Sequence, residues 1–101
     1  MSSESTIQKR WDTGYPTFKK LFDMPYKDLK EILKRILSSH SDDVEYTINE
    51  GKVFKEYEND EPHKLGVYCY GSVTISPFGI DYKPEHGPGR TLVEFNEFFK
   101  L

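Results

Sequence analysis

Residues 25–39 read PYKDLKEILKRILSS and residues 44–57 read VEYTINEGKVFKEY; the fold turns on where one pattern gives way to the other. In the first, Leu29, Ile32, Leu33, Ile36 and Leu37 fall at i, i+3, i+4, i+7 and i+8, the apolar stripe of an amphipathic helix. Pro25 suits the first helical position, where a missing N–H costs nothing, and Tyr26 extends the stripe. Lys27 with Glu31 and Glu31 with Arg35 stand four apart on the polar side. This spacing predicts a helix over 25–39 with Leu33 and Ile36 in the core.

In the second stretch the period falls to two. Val44, Tyr46 and Ile48 alternate with Glu45, Thr47 and Asn49, the pattern of a half-buried strand. Asn49-Glu50-Gly51 offers residues that tolerate positive φ, and Val53 to Tyr57 reads as the return strand. A hairpin over 44–57 is therefore expected, followed by a polar loop from Glu58 to His63.

Downstream, Leu65 to Ile75 is rich in Val, Tyr, Ile and Thr and reads as one central strand, with Gly71 marking a bulge or a close contact. Ser76-Pro77-Phe78-Gly79 and Gly87-Pro88-Gly89-Arg90 are turns, and Ile80 to Lys83 pairs back. Thr91-Leu92-Val93-Glu94 resembles a helix-opening capping box, so a short helix is expected over 91–101, with a strand as the other reading. Upstream, Ser5 to Trp11 and Thr17 to Phe22 read as two short helical turns separated by Asp12-Thr13-Gly14-Tyr15-Pro16. The expected fold class is α+β, one main amphipathic helix on an antiparallel sheet of four or more strands.

The chain has 101 residues, the size of one domain, expected to span 1–101. It contains no alanine, and 15% of its residues are aromatic, so the core must be built from few, large side chains. Cys69 is the only cysteine, which excludes an internal disulfide and a multi-cysteine zinc site. The first residues lack the pattern of a secretory signal, and no apolar run approaches the ~20 residues that span a bilayer. A cytoplasmic location, in a bacterium or an infected host cell, is the expectation.

Net charge is −3, unevenly spread. Residues 1–40 carry eight Lys and Arg against five Asp and Glu, a balance of +3; residues 41–101 carry six against twelve, a balance of −6. Asp42, Asp43, Glu45, Glu50, Glu56, Glu58, Asp60 and Glu61 are answered within the same stretch only by Lys52 and Lys55. On a hairpin these carboxylates would gather on one outer face and attract a basic protein. They would equally serve as the charges that keep an exposed strand from pairing with another chain.

The candidate partner-binding residues are Asp42, Asp43, Glu45, Glu56, Glu58, Asp60 and Glu61. The expected role is that of a non-catalytic inhibitor, of the immunity or phage anti-defence type, docking on a basic nuclease or toxin; a membrane partner is not expected. Should the acidic residues be only a solvated edge, aromatic side chains around Tyr15, Phe78 and Tyr82 are the next anchor. A second reading is a nucleic-acid module using Lys9, Arg10, Trp11, Lys19, Lys20, Lys27, Lys30, Lys34 and Arg35, though Asp28 and Glu31 dilute that patch.

Catalysis has thinner support. His40, His63 and His86 lack the spacing that places two ligands on one helical face. His40 with Asp42, Glu61 with His63, and Glu85 with His86 are the pairs a small nuclease-like enzyme would use. Cys69 between Tyr68 and Tyr70 reads as a small core residue rather than a nucleophile. Pro88 removes an N–H that a phosphate-binding Gly87-Pro88-Gly89 loop would need. No catalytic residue, metal or cofactor is therefore assigned from the sequence.

Overall fold

The computed structural model describes residues 3–95, with side chains from Gln8 onward. Three helices, α1 (Ser3–Phe22), α2 (Tyr26–Leu37) and α3 (Asp42–Glu50), precede five strands. These are β1 (Lys52–Glu58), β2 (Glu61–Tyr68), β3 (Gly71–Ser76), β4 (Gly79–Pro84) and β5 (Arg90–Glu94), joined as one antiparallel meander in chain order. The chain is α+β, with the main helix packed against the sheet.

The helix expected over 25–39 forms as α2, opened by Pro25 in extended conformation. Its buried row is Leu29, Leu33 and Leu37, whereas Ile32 is half-buried and Ile36 is 37% exposed. The apolar stripe therefore divides: one row enters the core, and the other faces a surface groove shared with α1 and β5.

Upstream, the expected break at residues 12–16 does not occur, and α1 runs through both Gly14 and Pro16. Trp11, Tyr15, Phe18 and Phe22 recur at helical spacing and form a chain of ring contacts, with centroids 5.5–6.3 Å apart where neighbours meet. This continuous aromatic row outweighs the local preference of Gly and Pro against helix. Gly14 has a tertiary role as well. A methyl group there would overlap the Pro77 carbonyl, so glycine lets α1 lie directly on the β3–β4 turn.

The hairpin expected over 44–57 is corrected. Residues 42–50 are the helix α3, capped by the Ser41 side chain, which accepts from the Val44 N–H at 3.4 Å. Asp42, Asp43 and Glu45 lie in its first turn, where the helix dipole favours negative charge. Val44, Thr47 and Ile48 are buried and Tyr46 is exposed, which is helical spacing rather than alternation.

The hairpin instead joins β1 to β2. Its turn is Asn59-Asp60, both at positive φ (53° and 66°), the geometry of a two-residue type I′ connection. Glu58 to His63 is thus a turn and the start of a strand, not a loop. The single strand expected over 65–75 is two, β2 and β3, reversing at Cys69-Tyr70. Residues 91–94 belong to β5 and not to a helix; Phe95 is buried against the core, and 96–101 lie outside the described residues.

The sheet has a covered and an open face. Gly71, Val73 and Ile75 of β3 are buried, while Ser72, Thr74 and Ser76 alternate toward solvent. Leu65 and Val67 pair with Ile75 and Val73 across β2–β3 and join Phe18, Leu33, Val44, Ile48 and Ile80 in the core. On the open face the Phe54 ring covers Gly66, its cross-strand partner, filling the space a side chain would take.

Candidate functional site

The seven acidic candidates divide between two places. Asp42, Asp43 and Glu45 share the first turn of α3, and Glu50 ends that helix, which carries no Lys or Arg. Glu56 and Glu58 lie on β1, with Asp60 and Glu61 at the hairpin turn. Asp43 borders the β2–β3 turn at Tyr70, whereas Glu61 opens β2 at its other end, so the length of β2, roughly 20 Å, separates the groups.

The two groups differ in how their charge is met. At the hairpin, Glu56 pairs with Lys64 at 3.3 Å and Glu58 with His63 at 3.1 Å. His63 is the extra residue of a bulge opposite Glu56 and Tyr57, and its ring lies 6.2 Å from Trp11. These carboxylates border an edge strand and are partly compensated. No Lys or Arg forms an ion pair with Asp42, Asp43 or Glu45 among the described residues. Arg90 comes near, but its guanidinium donates to the Ser41 hydroxyl at 3.2 Å and lies over the Tyr82 ring.

Beside the α3 group the structure brings together two tyrosines from segments expected to be strands, Tyr46 and Tyr70, 49% and 54% exposed; Tyr68, 62% exposed, alternates with buried Val67 on β2. Tyr46 and Tyr70 pack with centroids 4.8 Å apart. The Tyr46 hydroxyl is held above the usual phenol pKa, first by hydrogen bonding to Tyr70 and then by the charge that Tyr70 would carry. Tyr26 braces this end from beneath: its hydroxyl donates to the Ile48 carbonyl, and Lys30 Nζ reaches the Asn49 carbonyl at 3.3 Å. Both contacts tie α2 to the end of α3.

The signal for this surface was present as Ser41-Asp42-Asp43, a helix cap with acids in the first turn, which the alternation of Val44, Tyr46 and Ile48 obscured. The fall-back aromatic anchor does not form as one patch. Tyr82 is buried in β4, and Phe78 packs edge-on to Trp11 at 5.5 Å with Arg10 above it.

Several basic candidates are engaged within the fold. Lys19 pairs with Asp23 at 3.1 Å, Arg10 lies 5.5 Å from the Phe78 ring centre, and Lys30 joins α2 to α3. Cys69 is in the β2–β3 turn, partly exposed, and the hollow it lines contains no histidine among the described residues. His40 is exposed past the end of α2, and His86 lies in the β4–β5 turn beside Glu85. Among the described residues no three His, Cys, Asp or Glu side chains converge, and no helix is long and apolar enough to cross a membrane.

A separate apolar groove of about 530 Å³ lies between α1, α2 and β5, with Met24, Ile32, Ile36 and Leu92 in its walls. Phe95 is also in the wall. No protein-family model, curated protein or solved structure matches this chain.

Proposed function

We propose that this chain is a non-catalytic binding protein that docks on a basic protein surface through α3 and the tyrosines beside it. A basic enzyme such as a nuclease or toxin is the kind of partner this charge favours, with the chain acting as its inhibitor or immunity-type accessory. The observation that carries the reading is the half-exposed Tyr46–Tyr70 pair, 4.8 Å between centroids, next to a helix with four carboxylates and no cation. Tyrosine provides large contact area at low entropic cost and recurs where binding energy concentrates. Unpaired acids around it speed the approach of a positive surface. The hairpin acids Glu56, Glu58, Asp60 and Glu61 have a lesser part in this proposal, as charges at the edge of the sheet.

The test is kinetic. A partner recovered by affinity capture is immobilised, and association is followed by surface plasmon resonance at low and physiological salt. Asp42→Lys, Asp43→Lys and Glu45→Lys together should slow association by about tenfold or more at low salt, with less effect as salt screens the charges. Glu56→Lys, Glu58→Lys and Asp60→Lys together should slow it less. An α3 triple variant that remains folded and associates at the wild-type rate overturns the proposal. Tight, steeply salt-dependent binding of generic DNA or RNA, abolished by Lys30→Glu with Lys34→Glu, would move the function to nucleic acid.

A further inference from the structure

Between α3, the β2–β3 turn and the end of β4 lies a hollow of about 350 Å³ whose walls include Tyr46, Tyr70 and Tyr82. Asp43 from α3 and Glu85 from the segment after β4 also line it, with Pro84 and His86. Two half-exposed phenol rings, Tyr46 and Tyr70, share this lining with the buried Tyr82 and with two carboxylates; aromatic rings attract positive charge and carboxylates accept its hydrogen bonds. We propose that this hollow receives one arginine side chain of the partner, an inference that rests on the docking surface described above.

Guanidinium fits the lining better than ammonium. It is planar, so it stacks on a ring while its edge donates to a carboxylate, and it sheds water more readily than a lysine head group. The fixed geometry favours such a ligand. Tyr82 is buried, while Tyr46 and Tyr70 pack on each other at an interplanar angle of 53°. The chain's own Arg90 already uses Tyr82 in this way, with its guanidinium carbon 5.8 Å from the ring centre. Arg90, whose guanidinium also donates to Ser41, is not among the residues lining this hollow, and the half-exposed rings of Tyr46 and Tyr70 are its accessible aromatic walls.

The probe is acetyl-glycyl-arginyl-glycine amide, titrated into the isotope-labelled full chain and followed by backbone NMR. Matched peptides carry lysine or citrulline in place of arginine. The arginine peptide should shift the amides of Asp43, Tyr46, Tyr70 and Glu85 saturably, with citrulline about tenfold weaker and lysine between them. Tyr46→Leu with Tyr70→Leu should lose about tenfold in arginine affinity, and Glu85→Gln, which leaves the rings in place, should lose severalfold. Equal binding of citrulline, or shifts at Glu56, Glu58 and Glu61 as large as those at α3, overturns the pocket. In the partner assay, unimpaired binding by the Tyr46→Leu/Tyr70→Leu variant alongside slowed binding by the α3 charge reversal overturns the arginine receptor alone. If the α3 reversal has no effect, the docking surface itself falls.

Discussion

Replacing Gly14 with alanine should destabilise this protein, the opposite of the usual outcome in a helix. Alanine is favoured over glycine within a helix by about 0.8–1 kcal/mol, so Gly14→Ala at an unpacked site would stabilise α1. Here the added carbon would overlap the Pro77 carbonyl oxygen, lie 2.9 Å from the Pro77 carbonyl carbon and 3.3 Å from Phe95 Cβ. The obstacle is backbone in a tight turn between β3 and β4, so relief requires α1 to move as a body. Overpacking of this kind costs about 1–3 kcal/mol, and with a rigid obstacle the upper half of that range should apply. After the propensity gain, a net loss of about 1–2 kcal/mol is expected, a fall in Tm of roughly 4–16 °C for a domain this size. Urea and thermal unfolding monitored by circular dichroism measure it, with Glu31→Ala on the exposed side of α2 as a control that should change stability by no more than about 0.5 kcal/mol. Stabilisation of Gly14→Ala by 0.5 kcal/mol or more would refute the docking of α1 on the β3–β4 turn, and with it the positions of Trp11 and Phe78.

Two further outcomes follow from packing and from the brace beneath the tyrosine surface. Leu33→Ala should cost about 2–5 kcal/mol in chemical denaturation, whereas Ile36→Ala, on the exposed row of α2, should cost less than about 1.5 kcal/mol. Comparable losses at both positions would mean that the groove wall is as buried as the core. Tyr26→Phe should lose about 0.5–1.5 kcal/mol at neutral pH, because it leaves the Ile48 carbonyl without its donor. The Tyr26 phenol pKa is raised by burial first, then by Cys69 and Glu50, so ionisation is resisted in the folded state. Its contribution is therefore complete below the unfolded phenol value of about 10 and is lost as pH rises beyond it; the gap between wild type and Tyr26→Phe should narrow there in alkaline unfolding curves.

Several elements were legible because the residues that specify them are neighbours in the chain. The stripe from Leu29 to Leu37 requires a helix whatever it packs on, and Ser76-Pro77-Phe78-Gly79 requires a turn between two strands. The α+β class follows from these and from the Val-rich and Tyr-rich stretches after residue 50. The candidate site was legible only in part. Its acids could be counted, but their grouping depended on whether residues 42–50 alternate or wind.

Val44-Glu45-Tyr46-Thr47-Ile48 satisfies both patterns over so short a span, since Val44 and Ile48 lie on one side of a strand and on one side of a helix. The Ser41 cap favours the helix locally, and packing completes the choice: Val44, Thr47 and Ile48 are buried on one face of α3, while Tyr46 remains outside. The same holds for α1, where contact with Pro77 makes use of a glycine that local preference reads as a break. The split of β2 from β3 at Cys69-Tyr70 likewise places Tyr68 and Tyr70 at a surface end of the sheet. The sequence by itself determined the main helix, the turns and the excess of negative charge after residue 40, because each is set by residues within about one turn or one strand of each other. Only the tertiary structure decided that two carboxylates, Asp43 and Glu85, and three tyrosines, Tyr46, Tyr70 and Tyr82, line one hollow, because side chains distant in sequence are brought together only by the packing of the core beneath them.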